Sequence, residues 1–180
     1  MNTNPKTVKL TKLAMLAAIS LVFVALIRIP IFPAAPYLTY DPADIPIFIS
    51  AFAFGPLAGL SVTAVVAFIQ AFVLAGDGFI GFLMHFFATG SFVIVAGLIY
   101  KNHKTKKSAA IALICGTIVM TTTMIGLNLI ITPIFYLSVP IEAVIAMILP
   151  ILLPFNLLKA GVNSAITFFI YKAIAKHLHK

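Results

Sequence analysis

"IPIFISAFAFGPLAGLSVTAVVAFIQAFVLA", residues 45–75, decides how many times this chain crosses a bilayer. A helix needs roughly 20 apolar residues to span the hydrocarbon. The quoted run is too long for one such helix and too short for two full ones. Phe54-Gly55-Pro56 is a strong turn signal inside it, because glycine frees the backbone and proline cannot continue a helix. Breaking there gives two short spans.

Parity supports the break. Four further apolar runs are expected as spans: 8–29, 79–100, 108–131 and 150–174. Ten of the twelve basic residues lie at their boundaries: Lys6, Lys9 and Lys12 before the first, Lys101, Lys104, Lys106 and Lys107 in one connection, and Lys172, Lys176 and Lys180 at the end. Basic loops stay cytoplasmic. An even number of spans must then separate the N-terminus from residues 101–107, which one helix over 45–75 cannot provide. The expected fold is an all-α membrane protein with six transmembrane helices and both termini cytoplasmic. The four acids, Asp41, Asp44, Asp77 and Glu142, then all fall outside.

Composition agrees with that class. The chain has 180 residues, 62% hydrophobic and 9% charged, with a mean hydropathy of +1.16, which excludes an ordinary soluble domain. Its net charge of +8 is spread over membrane boundaries and forms no patch for nucleic acid. Cys115 lacks a disulfide partner and metal-ligand spacing, so it reads as a packing residue and no metal is expected. The apolar run 13–29 is long and no convincing cleavage site follows it, so it reads as a retained first helix. With no internal repeat, residues 1–180 form a single transmembrane domain on this reading.

The polar residues inside the spans carry the functional signal. Lys159 sits among apolar turns, where a charge costs ~2.5 to 3.5 kcal/mol on insertion scales and so faces a cavity or a partner. Asn156 and Asn163 fall on the same helix face. Asn128 lies near the outer end of the fifth span with Thr132 one turn on. The first outer loop, FPAAPYLTYDPADIP (32–46), is stiffened by Pro33, Pro36, Pro42 and Pro46 and carries Tyr37, Leu38, Thr39, Tyr40, Asp41 and Asp44. It reads as a rigid lid over one outward pocket of apolar walls and few polar groups. His85, one turn into the fourth span, fits packing or the pocket equally well. Asn163 reads as a helix bridge, Thr121–Thr123 as bonding back to their own helix, and Arg28 as an interface anchor. A competing account of Lys159 has it snorkelling to the interface and pairing with Asp44.

The chain has no G-x-x-x-x-G-K-[ST] loop, no acid within a span, and no H-E-x-x-H or G-x-S-x-G. It is therefore expected not to be an enzyme, nor to use ATP by the P-loop route. An outward pocket without its own energy source leaves passive transport or an external motor. A structural membrane protein, its asparagines only tying helices together, is the rival of a different class.

Together, PYLTYDPADIP (36–46), FAFGPLAG (52–59), GDGF (76–79), LN (127–128) and PFNLLKAG (154–161) resemble the riboflavin-specific S component of energy-coupling factor (ECF) transporters. The likeness runs in order over nearly the whole chain. It implies six helices with a vitamin site near the outer side, closed by the first loop. It also implies a bacterial cell-membrane protein that captures riboflavin and works with a transmembrane T component and two ABC ATPase subunits. Riboflavin is then cargo and no cofactor is expected. Position by position, the resemblance assigns Asn128, Asn156 and Lys159 to the flavin ring, and Leu38, Thr39 and Asp41 to the lid; Tyr40 and His85 join the expected site. The pyrimidine edge of a flavin has two carbonyls flanking an N–H, which suits amide and ammonium groups. Ala14 and Ala18 resemble the family's docking face for the T component, small residues allowing close helix approach. On this reading Lys159→Met would weaken binding and leave stability unchanged or improved.

Overall fold

A computed structural model describes residues 4–33, 35–135 and 139–178; Ala34 of the lid and Lys180 lie outside them. The helices are α1 (Pro5–Leu26), α2 (Asp44–Phe54), α3 (Pro56–Ile69), α4 (Gly78–Asn102), α5 (Lys106–Phe135), α6 (Ile141–Met147) and α7 (Leu153–Leu178). α3 runs on through a π-helical turn, Gln70–Leu74, and a second one, Ile148–Leu152, joins α6 to α7. Five of these helical segments are long and apolar enough to cross a membrane, while α2 has only 11 residues.

The break at residues 54–56 takes the form that its residues dictate. Gly55 adopts φ 95°, ψ 169°, left-handed space that an L side chain avoids, and Pro56 opens α3 at its first turn, where its missing N–H costs nothing. α2 is buried all round, from Asp44 to Ala53, and packs on α1, α3, α4 and α7. A helix that is apolar on every side belongs in the middle of a bundle, so α2 is the core about which the longer helices stand. Phe48 of α2 stacks on Phe92 of α4 with centroids 3.6 Å apart. Gly116 of α5 admits that ring, since a Cβ there would meet Phe92 at 2.8 Å. Further along, Phe52, Tyr100 and Tyr171 pack ring against ring and tie α2, α4 and α7 together.

The basic connections lie at one end of the bundle. Lys9, Lys101 and Lys104 line a single cavity of about 400 Å³ with the α2–α3 turn. The first loop, Asp77 and Val139 meet around another cavity. The α2–α3 turn therefore lies at the lysine end, and the helix pair begins and ends beside the other cavity.

Three details add to or differ from the sequence reading. The first loop is not wholly irregular: two-residue strands β1 (Ile29–Pro30) and β2 (Thr39–Tyr40) pair antiparallel, Ile29 with Tyr40 and Pro30 with Thr39. The ladder pins the loop ends where the prolines forbid helix. α5 continues to Phe135 through Pro133. The last helical pass begins at Ile141, with Glu142 in its first turn, not in a loop. The wider π turn at Ile148–Leu152 accommodates Pro150, whose ring would clash in a regular helix.

Candidate functional site

Beneath the lid lies a cavity of about 600 Å³, within the 300–1,000 Å³ typical of small-molecule sites. α4, α5, α6, α7, the π turn after α3 and the first loop all contribute to it. Leu38, Thr39, Asp41, His85, Asn128, Asn156 and Lys159 line it, so the fold gathers residues that are up to 121 positions apart in the chain (159 minus 38). Met84, Met120, Met124 and Met147 also line it, four of the chain's six methionines. Flexible, polarisable thioethers pack well on flat aromatic faces.

Tyr40 is not among the lining residues. Its hydroxyl donates to Asn163 Oδ1 at 3.0 Å. Burial, reinforced by the adjacent Asp41 charge, raises the Tyr40 phenol above its ordinary value, so it donates as a neutral hydroxyl. Asn163 is fully buried and donates from Nδ2 to the Asp41 carbonyl at 3.2 Å and to Asp44 Oδ2 at 3.4 Å. It stitches α7 to the base of the lid. Ser20 of α1 adds a further tie, donating to the Ala43 carbonyl at 2.8 Å, and Phe32 meets Phe155 edge-on at 6.4 Å. Lid and scaffold are thus joined by hydrogen bonds as well as by proline stiffness.

The lysine has a partner, though not Asp44. Lys159 Nζ donates to Asp41 Oδ2 at 2.8 Å, with Asp41's side chain 2% and Lys159's 15% exposed. Asp41 also accepts from the Ala43 N–H at 3.2 Å. Asp44 lies deeper and accepts from Thr89 Oγ1 at 3.1 Å, while His85 Nε2 stands 3.4 Å from its Oδ1. Two carboxylates at the base of the lid are therefore met by one lysine and by hydroxyl, amide and imidazole groups, as buried charges require. An ammonium has three donors, so Lys159 can hold Asp41 and still address a ligand.

The two site asparagines are set by their own helices. Asn128 Nδ2 donates to the Met124 carbonyl at 2.9 Å, and Thr132 donates to its Oδ1 at 3.3 Å. Asn156 Nδ2 donates to the Leu152 carbonyl at 2.7 Å, which lies in the π turn. Back-bonding of this kind fixes the amide rotamer. α5 and α7 pack on each other, joined by Thr117 and Ser164 at 3.0 Å, so both asparagines occupy one wall.

Other sequence-marked residues resolve simply. Thr122 bonds back to the Ile118 carbonyl at 2.9 Å, whereas buried Thr121 Oγ1 has no hydrogen-bond partner among the described residues. Arg28 is exposed and also lines the cavity. Cys115 is half-buried. Ala14 and Ala18 are exposed on α1 beside Met15 and Ile19, one turn apart, leaving a shallow apolar strip. The sequence reading passed over Gln70 and Thr89. Gln70 is the one amide between Ile45 and Ala75, a signal that could have been taken.

Comparison with known proteins follows the same lines. The family model of the ECF transporter substrate-specific component matches residues 8–171. The riboflavin transporter RibU of Staphylococcus aureus (strain TCH60) is 34% identical over 183 residues, covering 96% of this chain and 93% of its own. The riboflavin transporter FmnP of Bacillus subtilis (strain 168) is 31% identical, covering 92% and 91%. A solved structure described as that of the S component of a bacterial ECF transporter superposes with a TM-score of 0.80 at 33% identity, over 97% of this chain and 99% of its own. The chain belongs to the substrate-specific components of ECF transporters.

Proposed function

We propose that this protein is the riboflavin-capturing S component of an ECF-type importer, a binding subunit and not an enzyme. The observation that carries the reading is the cavity wall formed by α5 and α7: Asn128, Asn156 and Lys159 beside methionine side chains, bordered by a tethered lid. Two amides and an ammonium can meet the carbonyl, N–H, carbonyl edge of a flavin, while the methionines face its plane. Near full-length similarity to two proteins named as riboflavin transporters supports the same ligand.

On this reading residues 1–180 form one domain of six membrane passes, α2 serving as the short second one, with both termini and the lysine end in the cytoplasm. The site then opens outward. ATP-binding subunits and a transmembrane T component supply the energy, with Ala14 and Ala18 on the docking face of α1. The test is an absorption spectrum of the purified protein, followed by titration of riboflavin fluorescence. A flavin-coloured protein, or saturable quenching, is the expected result. Vesicles holding this chain alone should not equilibrate riboflavin; equilibration without ATPase subunits would make it a facilitator.

A further inference from the structure

At the end of the bundle away from the lid, lysines from separate parts of the chain meet around one hollow. Lys9 stands on α1, Lys101 in the last turn of α4 and Lys104 in the connection to α5. All three line the cavity of about 400 Å³ beside the α2–α3 turn, which has no carboxylate in its lining. None of them forms an ion pair among the described residues. The chain's own acids are elsewhere: Asp41 and Asp77 line the other cavity, Asp44 is buried beside His85, and Glu142 opens α6. Like charges gathered in this way repel one another unless an anion offsets them.

The packing of the turn makes the hollow a formed site. Gly97, one turn before Lys101, has no room for a side chain, since a Cβ there would come within 3.0 Å of the Pro56 Cα. A Cβ on Gly59 would meet the Ala51 Cβ at 2.7 Å. These two glycines let the first turn of α3 seat closely on α2 and α4, which brings its N-terminus to the lysines. No side chain caps that terminus and no acid stands in its first turn. Leu57 and Ala58 line the cavity, and N–H groups this early in a helix have no intrahelical acceptor. Ammonium and backbone N–H donors together suit a phosphate.

The surroundings say what carries the phosphate. Leu57 is 78% exposed and Leu10, next to Lys9, is 68% exposed, so bare apolar side chains flank the basic cavity. A free phosphate has no use for them, whereas a membrane lipid brings acyl chains that cover them. The cavity also lies where spanning helices end, at the depth of lipid headgroups, and basic pockets between such helices recognise anionic headgroups.

We propose that Lys9, Lys101, Lys104 and the start of α3 bind the phosphate of an anionic phospholipid. Native mass spectrometry of the full chain in detergent tests this, with phosphatidylglycerol and phosphatidylcholine offered in equal amounts. Both carry a phosphate, but only the first has a net charge. The wild type should retain phosphatidylglycerol selectively. Lys101→Gln and Lys104→Gln, both at exposed positions, should each weaken its retention about 5-fold. The triple variant Lys9→Gln, Lys101→Gln, Lys104→Gln should weaken it about 10- to 150-fold. A control triple, Lys106→Gln, Lys107→Gln, Lys172→Gln, removes the same charge outside the cavity and should change retention less than about twofold. Equal losses in the two triples would reduce the effect to diffuse attraction and overturn the site. Inorganic phosphate that displaces the lipid and raises the melting temperature as much would overturn the lipid as the source. A wild type without preference between the two lipids would overturn the proposal as well, leaving the lysines to an acidic protein segment. No flavin enters these readouts, so their failure leaves the riboflavin reading untouched.

Discussion

Replacing Lys159 by methionine keeps the stem and removes the charge, and the structure changes what should follow. Considered as an isolated buried cation, the lysine would be no loss to stability. Its ammonium, however, lies 2.8 Å from an Asp41 carboxylate that is 2% exposed. Without it, Asp41 keeps, among the described residues, the Ala43 N–H on its carboxylate and carries an uncompensated charge at the base of the lid. Breaking a buried pair in this way costs ~3 to 5 kcal/mol, which for a protein of this size is about 6 to 20 °C in melting temperature. Lys159→Met should therefore destabilise the ligand-free protein, and adding Asp41→Asn should restore most of the loss. Thermal melts of the wild type, both single variants and the double variant close the cycle. Riboflavin titrations on the same set separate binding from stability. The single lysine variant should bind roughly 10- to 150-fold more weakly through loss of a charge-assisted donor, and the double variant should not recover this. Effects on melting that add within about 0.5 kcal/mol would show that the two side chains are not energetically coupled and would refute the argument. Recovered binding in the double variant would remove Lys159 from ligand contact.

Four further outcomes are expected. A cysteine at Lys104 should react with impermeant reagents only from the cytoplasmic side and one at Asp77 only from outside; the same side for both would break the proposed topology. Ala14 and Ala18 are exposed on α1, so bulky replacements there should abolish ATP-driven uptake while riboflavin binding by the isolated subunit stays nearly unchanged; parallel loss would make that face part of the fold. Asn156→Leu should weaken riboflavin binding about 5- to 50-fold, read by fluorescence quenching, since the amide is held against the cavity by Leu152. Gly116→Val should lower the melting temperature by an amount equivalent to ~1 to 3 kcal/mol of overpacking, because its first added carbon already meets the Phe92 ring at 2.8 Å; an unchanged melt would mean that the stacked Phe48–Phe92 pair can shift.

By itself the sequence determined the class of fold and the position of its break. Apolar length, lysine placement and Phe54-Gly55-Pro56 depend on composition and local backbone sterics, which any short window reveals. Lys159 announced itself for the same reason: a lone charge among apolar turns must have a partner. Who that partner is could not be read locally. Asp41 and Asp44 are three residues apart, the first in the lid and the second opening α2, and the β1–β2 pairing with the Asn163 ties brings the first, not the second, to the lysine. Tyr40 is flanked by two lining residues, Thr39 and Asp41, yet bonds to Asn163, because successive residues of a strand point to opposite faces. The central place of α2 also needed the tertiary structure, since an 11-residue helix that is apolar apart from Asp44 and Ser50 has no amphipathic face to show what surrounds it. Gln70 is the clearest case. Its amide is visible in the sequence, but only packing shows that the residue lines the cavity while its oxygen is buried without a partner among the described residues, because hydrogen-bond satisfaction is a property of neighbours brought together from distant parts of the chain.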